Sequence, residues 1–401
     1  MKFSLYLKIF VSLLCAYLLP CCTNSSSHNK QGFISLEGKT FKLQGEDFYP
    51  MVLNYSTSLN CNKSEFWVCP GKCYGDKDIS TKELSIAKFK ADMQLIKDIG
   101  FNTVRIIGGS EYDIAEGKAS VSASNNGKDT VIFLNRNTFN AYLKTFSEMI
   151  NVIKEVGLKA IILQTHHIIK NDTANEYLKE LLVSFRNEPT ILAWDLFNEP
   201  LYFDKTELKK EEVFEIVKRW KKFFSIYSPN QLVTIGLTGS REVFEWDPNI
   251  LDVDFISFHP YEFHNGEVEN EIYWYGKYVE KPWIIGETGF SADGDSIHYE
   301  VQKQYAKKFL DRAVNCGASG FSWWQYKDVE WYDFQSNYLG LLTQKGTTQT
   351  TNPNLKVNGT LKPATSVFKA YDPRNKTGKC DCLADYYNYQ KENKFAFKGK
   401  L

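Results

Sequence analysis

An alternation of segment types constrains this chain more than any other feature. Eight short apolar runs occur at Met51–Asn54, Asn102–Ile107, Leu158–Leu163, Ile191–Phe197, Leu232–Leu237, Phe255–Phe258, Trp283–Gly286 and Gly320–Trp324. Segments of mostly helical pattern separate them. Apolar runs of this length suit strands buried on both faces, as in a parallel sheet whose connections are helices. The helical spacing is clearest in three places. Ile86, Phe89, Met93 and Ile96 line one face before Gly100; Phe139, Leu143, Phe146, Ile150 and Ile153 do so before Gly157; Tyr305, Phe309, Leu310 and Ala313 do so before Gly317. In each case a glycine able to cap the helix in the left-handed conformation comes next, and then an apolar strand. Eight such units predict an α/β chain folded as a single (β/α)8 TIM barrel. A doubly wound sheet would also alternate, but no glycine-rich phosphate fingerprint follows the first run. A length of 401 residues is accommodated by one barrel with insertions.

The flanks read differently. Residues 1–22 carry Lys2 and Lys8 ahead of an apolar stretch, Ile9–Pro20, that ends at Cys21-Cys22. The stretch is well short of the roughly 20 residues that span a bilayer, so it reads as a secretory signal. Its cysteine pair and the polar linker over 23–31 resemble a bacterial lipoprotein signal, with either cysteine as the lipidated residue. That reading implies export across the inner membrane and a lipid anchor at the outer membrane, in the periplasm or on the cell surface. The barrel domain is expected over 32–373, with a hairpin at 32–50 plugging the barrel bottom, and the tail 374–401 is assigned no fold. Past the leader, export permits disulfides among Cys61, Cys69, Cys73, Cys316, Cys380 and Cys382. A bridge stapling the 61–73 loop is expected, with Cys380 or Cys382 as candidate partners, and Cys316 is read as a buried free thiol. No metal site is read there, because partners at ligand spacing are missing.

Charge narrows the function classes. Lys plus Arg and Asp plus Glu are each 48, so the net charge is zero, without the basic excess that grips nucleic acid or anionic lipid. Aromatic residues make up 15% of the chain; most fill cores, but such faces also stack on sugar rings.

In a barrel of this kind the active site lies where the strands end. Polar residues collect there: Arg105 near the end of the second run, Gln164-Thr-His166-His167 after the third, Asn198-Glu199-Pro200 after the fourth, His259-Pro-Tyr261 after the sixth, Glu287 after the seventh, and Trp323-Trp324-Gln325 at the eighth. Carboxylates on opposite strands suit glycoside hydrolysis, in which one carboxyl protonates the leaving oxygen and the other attacks or activates water.

With Asn198-Glu199-Pro200 after Ile-Leu-Ala-Trp-Asp, His259-Pro-Tyr261, and Ile-Gly-Glu287-Thr-Gly, residues 33–373 resemble glycoside hydrolase family 5 of clan A, the cellulase and mannanase family. The resemblance implies a retaining mechanism without cofactor or metal. Glu199 would be the acid/base and Glu287 the nucleophile, about 5–5.5 Å apart. Arg105 would hold Glu287 ionised and oriented, and Tyr261 would hydrogen-bond it. Asn198 would bind the sugar 2-hydroxyl, His166 and His259 would border the subsite, and Trp324 would be its floor. Adjacent residues on a strand face opposite ways, so His166 is preferred to His167 and Trp324 to Trp323. Trp246, Trp274 and Trp331 are read in strand-end loops, as distal subsites or as packing. Gln164 departs from the Asp that family members often carry two positions before the strand-three His, which puts the local hydrogen bonding in question. The 57–80 loop, with its cysteines and Trp67, is expected to wall off part of the cleft.

These readings imply a monomeric, secreted β-glycosidase for β-mannan or β-glucan, with carbohydrate as its partner. The alternatives are an exo-acting enzyme on oligosaccharides and a catalytically idle sugar-binding lipoprotein.

Overall fold

The computed structural model describes residues 31–381, except for 63–64, 77–78, 112, 116, 126–127, 166, 171–174, 201–209, 239–247, 263–265, 295, 330–336 and 377–378. The expected leader and most of its linker therefore lie outside the described residues. Among the described residues no helix is long and apolar enough to cross a membrane.

The eight runs are the eight strands of a closed parallel barrel. We label them β1 (Met51–Cys61), β2 (Thr103–Ile107), β3 (Lys159–Leu163), β4 (Ile191–Asn198), β5 (Leu232–Thr238), β6 (Phe255–His259), β7 (Trp283–Ile285) and β8 (Gly320–Trp323). Each strand pairs with the next, and Phe321, Ser322 and Trp323 of β8 pair with Met51, Val52 and Leu53 of β1 to close the ring. Helices α1 (Lys82–Asp98), α2 (Arg136–Val156), α3 (Asn175–Phe185), α4 (Lys210–Tyr227), α5 (Glu267–Tyr278) and α6 (Ser296–Asn315) run between them. Local signals set the ends of α2. Asn135 caps its start in a reciprocal capping box with Thr138, and Gly157 ends it at φ 83°, a conformation that costs glycine little. Gly100 and Gly317 also have positive φ.

The N-terminal segment forms the expected plug. Strands Ile34–Glu37 and Thr40–Leu43 make a hairpin, to which Glu46–Asp47 adds a third strand. Ile34 and Phe41 pack with Val52, Ile161, Leu192, Ala193, Phe255 and Ile284 in a separate apolar cluster. Phe41 meets Phe255 edge to face at 5.1 Å. This layer seals the barrel beneath the polar residues, so charges above it sit over a low-dielectric floor.

Three expectations are corrected. The first strand does not stop at Asn54: it runs on to Cys61 and turns back as Phe66–Pro70, with Thr57 opposite Pro70 and Cys61 opposite Phe66. Beside it, strands Asp113–Ala115, Lys118–Asn125 and Lys128–Phe133 extend the same sheet, so residues 57–61 and 66–70 of the 57–80 region are paired strand rather than loop. Second, Cys316 is not a free thiol but is bonded to Cys380, with the Cα atoms 4.9 Å apart. The start of the tail is thereby stapled to the end of α6, while Cys382 lies outside the described residues. Third, Cys61, Cys69 and Cys73 are unbridged. Cys69 pairs with Ser58, three positions from Cys61, which puts the two about 10 Å apart along the ladder and beyond disulfide reach. Burial pushes the Cys69 and Cys73 thiols up to about 12 and about 11, so neither is a reactive thiolate.

Candidate active site

The site is assembled around one guanidinium. Arg105, third residue of β2, is fully enclosed and in register with Asn54 of β1. Its Nε donates to Asp195 Oδ2 at 2.8 Å, Nη1 to Glu287 Oε1 at 2.6 Å and to Asn54 Oδ1 at 3.0 Å, and Nη2 to Asn198 Oδ1 at 2.7 Å. Burial works against its charge, but Asp195 and Glu287 outweigh that and raise its pKa further above the ordinary arginine value. Arg105 is therefore a fixed cation. Asn54 is itself pinned, with Nδ2 at 2.9 Å from Gly286 O and 2.8 Å from Ser322 Oγ.

Glu287 follows β7. Its Oε1 accepts from Arg105, and its Oε2 accepts from Tyr261 Oη at 3.0 Å. Burial, with the neighbouring Glu287 charge, raises the Tyr261 hydroxyl well above its usual pKa, so it stays a donor. Glu199 is the first residue past β4 and has φ 43°, a conformation rare for a side chain with a Cβ. Its amide donates to Gly236 O at 2.9 Å, and its Oε1 lies 2.8 Å from His259 Nδ1.

His259 links the two acids, with Nδ1 also 3.5 Å from Glu287 Oε1. Burial drives its pKa down to about 4; the Glu287 charge opposes that shift and Arg105 adds to it. The ring is therefore neutral near pH 7. Its Nε2 is buried without a hydrogen-bond partner, which assigns the single ring proton to Nδ1, facing Glu199. Glycines make room for the ring. A Cβ at Gly236 would lie 2.7 Å from His259 Cε1; at Gly286 it would lie 2.8 Å from Cδ2 and 1.8 Å from Ser257 Oγ.

The structure thus brings together Arg105, Asn198, Glu199, His259, Tyr261 and Glu287. Of the tryptophan pair, Trp323 is fully buried against Tyr305 and Phe368, with Nε1 donating to Leu339 O at 3.0 Å. Trp324 is the half-buried one and is joined to Gln325 by a cis peptide. His166 lies outside the described residues and His167 is exposed. Gln164 is buried, and neither atom of its amide makes a hydrogen bond. Trp274 is not in a strand-end loop: it lies on α5, where helical spacing stacks it on Tyr278. Trp246 and Trp331 are outside the described residues, and Trp67 is buried in the strand hairpin. Sequence reasoning missed Asn54, Asp195, Gly236 and Gly286 as parts of the site.

One ligand-type atom each from Glu199, His259 and Glu287 lie within 4.8 Å of one another, the one group among the described residues spaced to hold a metal. Arg105 already places a positive charge 2.6 Å from Glu287 Oε1, where a cation would have to compete with it. The same closeness suits two carboxyls that act on a single bond.

Comparison with known proteins identifies a family. The family model for cellulase (glycosyl hydrolase family 5) matches residues 70–328. A probable mannan endo-1,4-beta-mannosidase C of Aspergillus terreus is 24% identical over 221 residues, 48% of this chain and 49% of its own length. The chain thus spans about half of that relative. Mannan endo-1,4-beta-mannosidase 1 of Arabidopsis thaliana is 22% identical over 356 residues, 73% of this chain and 80% of that protein. Among solved structures, an exo-beta-1,4-mannosidase from Opitutaceae bacterium strain TAV5 superimposes with a TM-score of 0.58 at 17% identity, covering 86% of this chain and 62% of the other. At that identity the likeness concerns the fold.

Proposed function

This chain belongs to glycosyl hydrolase family 5, and from that premise we propose that it cleaves β-linked mannan- or glucan-type saccharides with retention of configuration. The observation that carries the reading is the approach of Glu199 and Glu287 oxygens to within 4.8 Å, near the spacing of about 5–5.5 Å at which a second carboxyl attacks directly rather than through water. The names of the Aspergillus and Arabidopsis relatives favour β-1,4-mannosides among these substrates.

In the proposed first step a Glu287 oxygen bonds the anomeric carbon while that carbon's bond to the glycosidic oxygen breaks. Glu199 gives its proton to the leaving oxygen. In the second step Glu199 takes a proton from water, whose oxygen displaces Glu287. Arg105 and Tyr261 hold one Glu287 oxygen each, which fixes the attack direction. His259 orients Glu199 through Oε1. Asn198, held by Arg105, takes the sugar 2-hydroxyl, a contact that strengthens in the transition state, and Trp324 lies under the ring. His166 is proposed to border the same subsite.

The test is incubation with β-mannan, cellulosic and mixed-linkage glucan, xylan and β-galactan, followed by chromatography of the released sugars, with Glu287→Gln as control. A ladder from one polymer and a loss of at least about 10⁴-fold in the control are expected; a fully active control would sink the mechanism. Monosaccharide as sole product would favour the second reading, an exo-acting enzyme. The paired-strand wall formed by β1 beyond the rim and its neighbouring strands supports that reading. We further propose export and lipid anchoring through Cys21 or Cys22, checked by radioactive palmitate labelling that is lost when both are replaced by serine.

A further inference from the structure

Double displacement needs one carboxylate on the guanidinium, and the barrel supplies two. Asp195 is fully buried; its Oδ2 accepts from Arg105 Nε at 2.8 Å, and its Oδ1 accepts no hydrogen bond. An amide or hydroxyl would have offered Nε an acceptor without the cost of burying a charge. What neither offers is the charge itself.

We infer that Asp195 is a positioning residue that serves as the permanent counter-ion of Arg105, keeping the guanidinium compensated and in place when Glu287 gives up its charge to the sugar. The inference rests on the reading of Glu287 as nucleophile. When Glu287 bonds the anomeric carbon and the leaving oxygen takes the Glu199 proton, the Glu287 carboxylate becomes a neutral ester. Arg105, Glu287 and Asp195 together then pass from one negative charge to none. Without Asp195 the same step would leave Arg105 as an unpaired cation above the apolar plug, where charges are poorly solvated.

The sign of a test follows from the groups around Glu287. These are Arg105 from β2, Glu199 at the end of β4 with Asp195 on the far side of Arg105, and His259 and Tyr261 from and after β6. Asp195→Asn removes one negative charge from this set and leaves the others. Ionisation of Glu287 is then opposed less, so the acid limb of kcat/KM moves to lower pH, by about one unit. At the optimum kcat/KM falls on the order of 100-fold, because the charge compensation realised in the transition state is gone.

The experiment is the pH profile of kcat/KM for wild type, Asp195→Asn and Glu287→Gln on the polymer cleaved in the assay above. An acid limb displaced downward supports the counter-ion role. A limb unmoved or displaced upward, whatever the loss of rate, makes Asp195 a merely structural acceptor and overturns it. An active Glu287→Gln would instead remove the nucleophile reading and the inference with it. Should Asp195→Asn fail to fold, Arg105→Met and Glu287→Gln are added to it, which removes every charge of the trio. Recovered folding of the triple variant shows that the missing charge was the defect; continued failure shows that the shape of Asp195 was needed and overturns the proposal.

Discussion

Two buried carboxylate clusters lie on opposite sides of the barrel wall, and they are solved differently. Inside, Glu287 and Asp195 share the Arg105 guanidinium. Outside, between β1 and α1, Asp92 accepts from Tyr55 Oη at 2.6 Å and from Tyr326 Oη at 2.7 Å. Burial pushes Asp92 up to about 6; the two hydroxyls pull it down, Asp76 adds to the rise, and Lys327, which is paired with Asp76, offsets only part. Neutral donors satisfy a carboxylate's geometry but do not balance its charge, whereas a buried cation does. The first solution suits a structural acid that ties a helix to a strand. The second is what a carboxylate needs if it is to attack a sugar.

The comparison breaks most visibly at the cation. Arg105→Met leaves Asp195 and Glu287 facing one another without compensation, which is expected to cost about 3–5 kcal/mol at pH 7 and to reduce kcat/KM by more than about 10³-fold. Urea unfolding at pH 7 and again at pH 4 checks the cause, since the deficit should shrink as the stranded acids take up protons. An equal deficit at both pH values would mean that packing rather than charge was lost. A smaller effect is expected at Gly286, which has no charge. Gly286→Ala drives a methyl into Ser257 Oγ and the His259 ring, tilting the group that orients Glu199. We expect about 100-fold in kcat, with a stability cost of about 1–3 kcal/mol for overpacking. Near-normal kcat would show that His259 tolerates displacement.

The same contrast explains which parts of the site were legible. Glu199, His259, Tyr261 and Glu287 stand at or just past the ends of apolar runs, where a polar residue is conspicuous, and Arg105 shows as the one basic residue within the run Asn102–Ile107. Asp195 sits inside Ile-Leu-Ala-Trp-Asp-Leu-Phe and was absorbed into the strand reading, although a charge within a run buried on both faces must have a partner. Asn54, the last residue of its run, was hidden in the same way. Gly286 reads as an ordinary strand end until the His259 ring is placed beside it. The extension of β1 through Tyr-Ser-Thr-Ser-Leu-Asn-Cys is polar enough to pass for a loop, yet its mates at Phe66–Pro70 make it strand. The Cys316–Cys380 bridge joins positions 64 apart, and nothing local to either cysteine reveals that the chain returns to the end of α6.

The smallest predicted effect separates the two clusters by pH alone. His259, pushed down to about 4 from 6.5 by burial, contributes stability that is complete above 6.5 and is lost as pH falls toward 4. Asp92, raised to about 6 from 3.8, behaves oppositely: its contribution is complete below 3.8 and is lost as pH rises through 6, because the unfolded chain releases the proton that the native state retains. Over the same window the inner cluster gains from a rise in pH and the outer one loses. Asp92→Asn removes only the second slope, since an amide can accept from one tyrosine hydroxyl and donate to the other. Relative to wild type the variant should therefore gain about 1–3 kcal/mol between pH 4 and pH 6.5, read from urea midpoints at half-unit intervals. A variant whose stability runs parallel to wild type across that window would show that Asp92 is held ionised after all, and that the tyrosine pair does for it what Arg105 does inside the barrel.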